Sequence, residues 1–184
     1  MSLFTRKKKL AKSIADIPPP PMKLLGQYDQ LSEYLRSDVE QTNKLHGIYD
    51  FLDELWNFLY PYLSCKKGCS YCCSIPVDVF SIEAENISKE IGKKILVHPV
   101  SNKYSPCPFL KNDKCSIYKN RPFKCRTYFP FEGPEFCKNQ ESRANFYNAI
   151  IDGENLFNKL ELEVANMSKR KGADIREFFS SSGN

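Results

Sequence analysis

Apolar side chains between Met22 and Tyr60 recur mostly at steps of three and four: Leu24, Tyr28, Leu31, Leu35, Val39, Leu45, Tyr49, Leu52, Leu55 and Leu59. That spacing predicts amphipathic helix, one stripe turned to a core. The pattern loosens near Thr42, and Gly47 is a point where the helix kinks or splits. Pro61 ends the segment, because proline has no N–H and restricts the residue before it. Ile75 to Phe80 reads as briefly extended. Ser81 reads as an N-cap, with Glu83 and Glu85 in the first turn of a helix reaching about Lys94, its last turn weakened by Gly92. His98 to Pro134 holds six of the twelve prolines and little periodicity. Within it, Phe109 to Tyr118 suggests a small hairpin turning at Asn112-Asp113. The helical pattern resumes near Gln140 and passes through Phe146 or Tyr147, Ile150, Phe157, Leu160, Val164 and Met167. Ser168 to Gly172 reads as its stop, and Asp174 to Phe179 as one more short helix.

The expected fold is mainly α: a few helices bracketing an irregular, metal-stapled cysteine-rich middle with at most a small hairpin. Pro18 to Pro21 marks a stiff boundary. Residues 1–21 are therefore expected to be a basic, proline-ended flexible tail, and 22–184 a single domain with its cysteine-cluster region at 65–137.

Composition changes the picture at one point. All eight cysteines fall between Cys65 and Cys137. A packed core does not need thiols so concentrated, so they point to disulfides or a metal. The basic N-terminus is followed by no apolar run of the secretory kind, and no stretch is long and apolar enough to cross a bilayer. The expected location is the cytoplasm, where thiols stay reduced and close cysteines bind metal. Cys69, Cys72 and Cys73 fit this, since adjacent cysteines rarely close a ring on each other but converge readily on one ion. The net charge of +5 owes much to Arg6 to Lys12. That run reads as a solvated tail. No nucleic-acid motif accompanies it, and nucleic acid is not an expected partner.

Thiolates are soft ligands suited to zinc, copper(I) and iron–sulfur clusters. One zinc site, two zinc sites or one cluster with extra thiols would each use this set. His46 and His98 have no flanking pattern of ligation. Four thiolates around Zn²⁺ or a [4Fe–4S]²⁺ core leave a charge of about −2. Arg121 and Arg126, beside Cys125, are the candidates to offset it from the second layer of the site. Tyr118 is expected to pack against the cluster. Cys65-x3-Cys69-x2-Cys72 also has the spacing of radical S-adenosylmethionine enzymes, but their long β/α alternation is missing.

Three motifs in order carry a resemblance. They are Cys65-Lys-Lys-Gly-Cys69-Ser-Tyr-Cys72-Cys73, Cys107-Pro-Phe-Leu110, and Cys115-Ser-Ile-Tyr118-Lys-Asn-Arg121-Pro122-Phe-Lys-Cys125-Arg126. Together they resemble the bacterial CxxCxxCC family, the YkgJ-type cysteine-cluster proteins, whose domain is described as zinc- or iron-chelating. The likeness covers about Cys65 to Arg126. The first gap is three residues where the family name implies two, which bears on the role of Cys65. The resemblance implies a metal site drawn from Cys65, Cys69, Cys72, Cys73, Cys115 and Cys125, with Cys107 and Cys137 as further thiols. The cofactor expected is a [4Fe–4S] cluster or Zn²⁺, with the surplus of cysteines favouring iron–sulfur. Because the family includes flagellin lysine N-methylase-like proteins, a second reading is an S-adenosylmethionine-dependent protein lysine methyltransferase. A third is a zinc-stapled adaptor whose helices bind a protein partner. No catalytic residue is assigned.

Overall fold

A computed structural model describes residues 11, 14–65, 68–96, 102–128, 150–151, 154–170 and 172–179. The apolar stripe of the first half becomes two helices, α1 (Met22–Arg36) and α2 (Gln41–Leu59). The break falls at residues 37–40, earlier than the loosening near Thr42. It comes where Ser37 turns its side chain and N–H back onto Tyr34 O, ending the ladder. Gly47 neither kinks nor splits α2. A Cβ there would lie 3.2 Å from the Tyr34 ring, so the glycine lets α1 approach. Pro61 does not stop the chain abruptly. A 3₁₀ turn, Tyr60–Tyr62, continues from α2, and proline is tolerated in its first turn.

One face of α2 is sealed. Leu45, Ile48, Leu52, Leu55 and Leu59 are essentially inaccessible. Each such side chain contributes about 1.5–3 kcal/mol on burial. They pack with Leu24, Tyr28 and Leu31 of α1 and with Leu156, Phe157, Leu160 and Val164 of α5 (Leu156–Asn166) in one core. Asn155 caps α5, its side-chain oxygen accepting from Phe157 N at 2.9 Å and Asn158 N at 3.2 Å. The helical pattern expected to include Ile150 is instead a short ladder, β4 (Ile150–Ile151) against β5 (Glu154–Asn155). Phe146 and Tyr147 lie outside the described residues. At the other end, Ala11 is buried and donates to Tyr62 O at 2.9 Å.

A second, smaller core sits under the cysteine loops. Val79, Ala84, Ile87, Phe109, Ile117, Ile175, Phe178 and Phe179 form it, with Cys107 and Cys115 packed against it. Phe109 meets Phe179 edge-on at 5.0 Å between ring centres. The irregular middle therefore has apolar support from the C-terminal segment, which its own poor periodicity did not reveal. The hairpin turns at Asn112-Asp113 as its residues suggest. β2 (Leu110–Lys111) pairs with β3 (Lys114–Cys115), and Asn112 and Asp113 both take positive φ, 49° and 56°. These two residue types tolerate that region best after glycine. A third ladder joins β1 (Asp78–Val79) to β6 (Ala173–Asp174). Among the described residues, three two-stranded ladders stand where the sequence suggested a single hairpin, because pairs of two residues leave no period-two signal.

Helix α3 (Ser81–Ile91) starts one residue earlier than expected: Ser81 is its first residue and Phe80 its N-cap. Phe80 has no side-chain acceptor, so Glu83 reaches back to Phe80 N at 3.1 Å. The helix ends at Gly92, in the left-handed region at φ 66°, short of Lys94. Glu83 does more than begin a helix. It is fully buried, and its Oε1 accepts from Tyr49 Oη at 2.8 Å and Phe123 N at 2.6 Å. It thereby ties α2 and α3 to α4 (Phe123–Arg126), the helix that carries Cys125. Burial raises its carboxyl above the ordinary value, while the Phe123, Tyr49 and Phe80 donors and Arg126 oppose the rise.

Two substitutions test these ties. Glu83→Ala strands two buried donors and the Phe80 N–H, each at about 1–3 kcal/mol. Urea unfolding is expected to show a loss of about 3 kcal/mol or more, with Glu83→Gln retaining part of it. At Gly172 a Cβ would sit 2.8 Å from Val79 O, a backbone atom that cannot swing aside. Gly172→Ala should lower stability by about 1–3 kcal/mol, read as a fall in melting temperature.

Candidate metal centre

Four segments carry the described cysteines. The chain leaves α2 through the Tyr60–Tyr62 turn and reaches Cys65 and Cys69. A second 3₁₀ turn, Tyr71–Ser74, holds Cys72 and Cys73. Cys107 precedes the hairpin, Cys115 ends β3, and Cys125 lies in α4. Backbone bonding joins the first segment to the second: Cys107 N donates to Cys73 O at 2.8 Å. Ser70 Oγ donates to Asp113 Oδ1 at 3.0 Å, fixing the same loop to the hairpin tip. Cys65 through Cys115 are half-buried and Cys125 is exposed. Cys137 lies outside the described residues.

The thiols sense one another. Cys73 is pushed well up, first by its hydrogen bond with Cys72, then by desolvation and the Cys72 charge, while Arg176 opposes the rise. Desolvation lifts Cys107 to about 11, with Cys73 and Cys115 adding to it and Phe109 N–H and Arg176 opposing it. Cys115 is raised by desolvation and by Cys73, against Ile117 N–H and Arg121. Desolvation comes first for Cys125 as well. Its own surface is open to water, however, so the negative potential of Cys107, Cys115, Cys73 and Glu83 is the firmer cause of its rise. Cys73, Cys107, Cys115 and Cys125 therefore share one neighbourhood.

Among the described residues, no three His, Cys, Asp or Glu side chains converge at metal-holding geometry. The donor chemistry fits a soft metal all the same. Clustered thiols resist ionisation because each thiolate repels the next, and a cation placed among them reverses that repulsion.

Arg121 and Arg126 are both buried, and they bond Asp53 and backbone carbonyls. Arg126 Nη1 donates to Asp53 Oδ1 at 2.6 Å, Nε to Arg121 O at 2.9 Å, and Nη2 to Lys119 O. Its guanidinium lies 4.1 Å over the Tyr49 ring. Arg121 reaches the same Asp53 oxygen at 3.4 Å and stacks on Tyr118 at 4.0 Å. Tyr118 is accordingly an exposed lid on Arg121. Arg121 opposes the rise of Cys115 through its charge. His46 bonds Asn86 Oδ1 at 2.9 Å, and His98 lies outside the described residues.

The cation closest in effect to the first two cysteine segments is Arg176, which the sequence pattern did not single out. It is 3% exposed and sits in α6 (Ile175–Phe178). Nη2 donates to Cys73 O at 3.0 Å and to Ile75 O at 3.3 Å, and Nε to Ser105 O at 2.6 Å. Asp174, fully buried, accepts from Arg176 Nη1 at 3.0 Å and from Val77 N at 2.8 Å. Asp-Ile-Arg inside a short amphipathic turn gives no local sign of a partner about a hundred residues away.

Residues 64–149 match the model of the CxxCxxCC family, described as a "putative zinc- or iron-chelating domain". The match takes in every cysteine and stops before α5 and α6. No curated protein and no solved structure matches the chain. Among the described residues, no helix is long and apolar enough to cross a membrane.

The raised thiols set a sign for pH. Folding favours their protonated form, so their share of apo stability is present below the ordinary value of 9.0 and is lost as pH climbs toward the Cys107 value of about 11. Metal must displace those protons. Calorimetric Zn²⁺ titration in two buffers of different ionisation enthalpy should therefore show about three to four protons released near neutral pH. Release of fewer than one would mean that thiols are not the ligands.

Proposed function

We propose that the chain is a metal-holding module with a single thiolate centre shared by its cysteine segments, and that the centre is an iron–sulfur cluster. Cys73, Cys107, Cys115 and Cys125 are the ligands this reading favours, with Cys72 beside them, and Cys65, Cys69 and Cys137 are further candidates from the sequence. The observation that carries it is the common neighbourhood of those four side chains, drawn from segments 34 to 52 residues apart from Cys73 and linked by the Cys107–Cys73 backbone bond. One tetrahedral zinc site uses at most four thiols, and the eight in the chain exceed that number. A cluster would supply one-electron redox chemistry, its potential set by charge and hydrogen bonding around the sulfurs. Zinc would supply a crosslink without redox change.

Anaerobic purification with metal and sulfide analysis decides between them. Iron with acid-labile sulfide and a brown visible band is the expected result. Zinc without colour would leave a structural module, and binding of S-adenosylmethionine by calorimetry would turn the reading toward the methyltransferase. Cys125→Ser should lose most of the bound metal. Chelation should open residues 102–128 to protease while the α1–α2–α5 core keeps its helical circular dichroism, since that core buries its own apolar stripes. Undiminished protease resistance of the chelated protein would remove the metal from the account of that segment.

A further inference from the structure

We propose that Arg176, from the C-terminal turn outside the family domain, is the positioning residue of the thiolate centre: it locks the Cys73 and Cys107 segments together and holds a fixed positive charge beside them. The inference rests on the metal-holding reading above and adds a residue to it.

Three observations converge on this residue. Its guanidinium bonds carbonyls on both sides of the site, Cys73 and Ile75 on one segment and Ser105 on the other. Cys73 O thus accepts from Arg176 and from Cys107 N, so a single carbonyl joins the guanidinium to both ligand segments. Burial is nearly complete for Arg176 and complete for Asp174, which keeps the pair out of reach of screening salt. The turn itself is rigidly seated. Asp174 caps it by accepting from Arg176 N at 2.9 Å, and the β1–β6 ladder and Phe178 and Phe179 hold it to the second core.

The chemistry follows from charge. A four-thiolate centre is anionic by about two charges whichever metal it holds. Arg121 and Arg126 share Asp53, on the α2 side of the molecule. Arg176 faces the Cys73 and Cys107 side, and its planar fork serves several carbonyls at once while staying ionised. Lysine would retain the charge and lose the fork.

The test uses the full-length apo protein titrated with Co²⁺, followed by the thiolate-to-cobalt charge-transfer band, beside urea unfolding of each apo variant. Arg176→Met is expected to weaken Co²⁺ binding about ten- to hundredfold, the range for loss of an outer-layer partner. Arg176→Lys should recover most of that affinity while remaining less stable than wild type as apo protein. Asp174→Asn leaves the guanidinium and removes its counter-charge, so its Co²⁺ affinity should hold or rise; it also serves if Arg176→Met does not fold. Equal affinity loss in Met and Lys variants, or loss in Asp174→Asn matching Arg176→Met, would reduce Arg176 to a structural clamp and overturn the charge role. Wild-type Co²⁺ affinity in Arg176→Met would overturn both roles while leaving the metal-holding reading in place. A wild-type chain that takes up no Co²⁺ through thiolate would bring down that reading, and this inference with it.

Discussion

Backbone in a segment with almost no ladder of its own must find hydrogen-bond partners elsewhere, and here buried charged side chains supply them. Glu83 takes the N–H groups of Phe80 and Phe123. Arg126 takes the carbonyls of Lys119 and Arg121, and Arg176 those of Cys73, Ile75 and Ser105. An unpaired backbone group buried without water costs as much as a lost hydrogen bond. A charged partner gives a stronger bond than a neutral one. The cysteine loops can therefore be irregular, and hence free to aim their thiols, because Glu83, Arg126 and Arg176 supply the partners a sheet would supply elsewhere.

Those charges also divide the molecule. On one side, Asp53 gathers Arg121 and Arg126 against α2, with Tyr49, Trp56 and Tyr118 as aromatic neighbours. On the other, Asp174 holds Arg176 against the cysteine segments. The first arrangement belongs to the large helical core, the second to the small core beneath the thiols. Glu83 bridges the two, since α3 contributes Ile82 to the first core and Ala84 and Ile87 to the second. The exposed ion pair Lys124–Glu161 adds a further link from α4 to α5, of the modest worth usual at a surface.

Much of the helical frame was legible from spacing alone. The stripe through Leu45, Leu52, Leu55 and Leu59 is a sealed helix face, and the Asn112-Asp113 turn closes a hairpin. Errors arose where a local rule met a tertiary partner. Ser81 has the chemistry of an N-cap, yet Glu83 completes the cap from inside the helix, and Ser81 Oγ instead accepts from Arg170 N at 3.2 Å. Gly47 and Gly172 read as soft spots or stops, but each marks a close approach, of α1 to α2 and of β6 to β1. Glu83 looked like a first-turn carboxylate because burial leaves no mark on a single residue's identity.

By itself, the sequence determined the helices, the one tight turn and the kind of chemistry: soft sulfur ligands crowded into one stretch, with motifs in the order of a known family. Those are local properties, written in periodicity, φ preference and side-chain type. Only the tertiary structure decided which thiols share a neighbourhood and which cation attends them. Arg121 and Arg126 stand next to Cys125 in the chain but turn to Asp53. Arg176 stands 103 residues from Cys73 and bonds its carbonyl. Charge acts through space at a few ångströms, and distance along the chain carries no record of it.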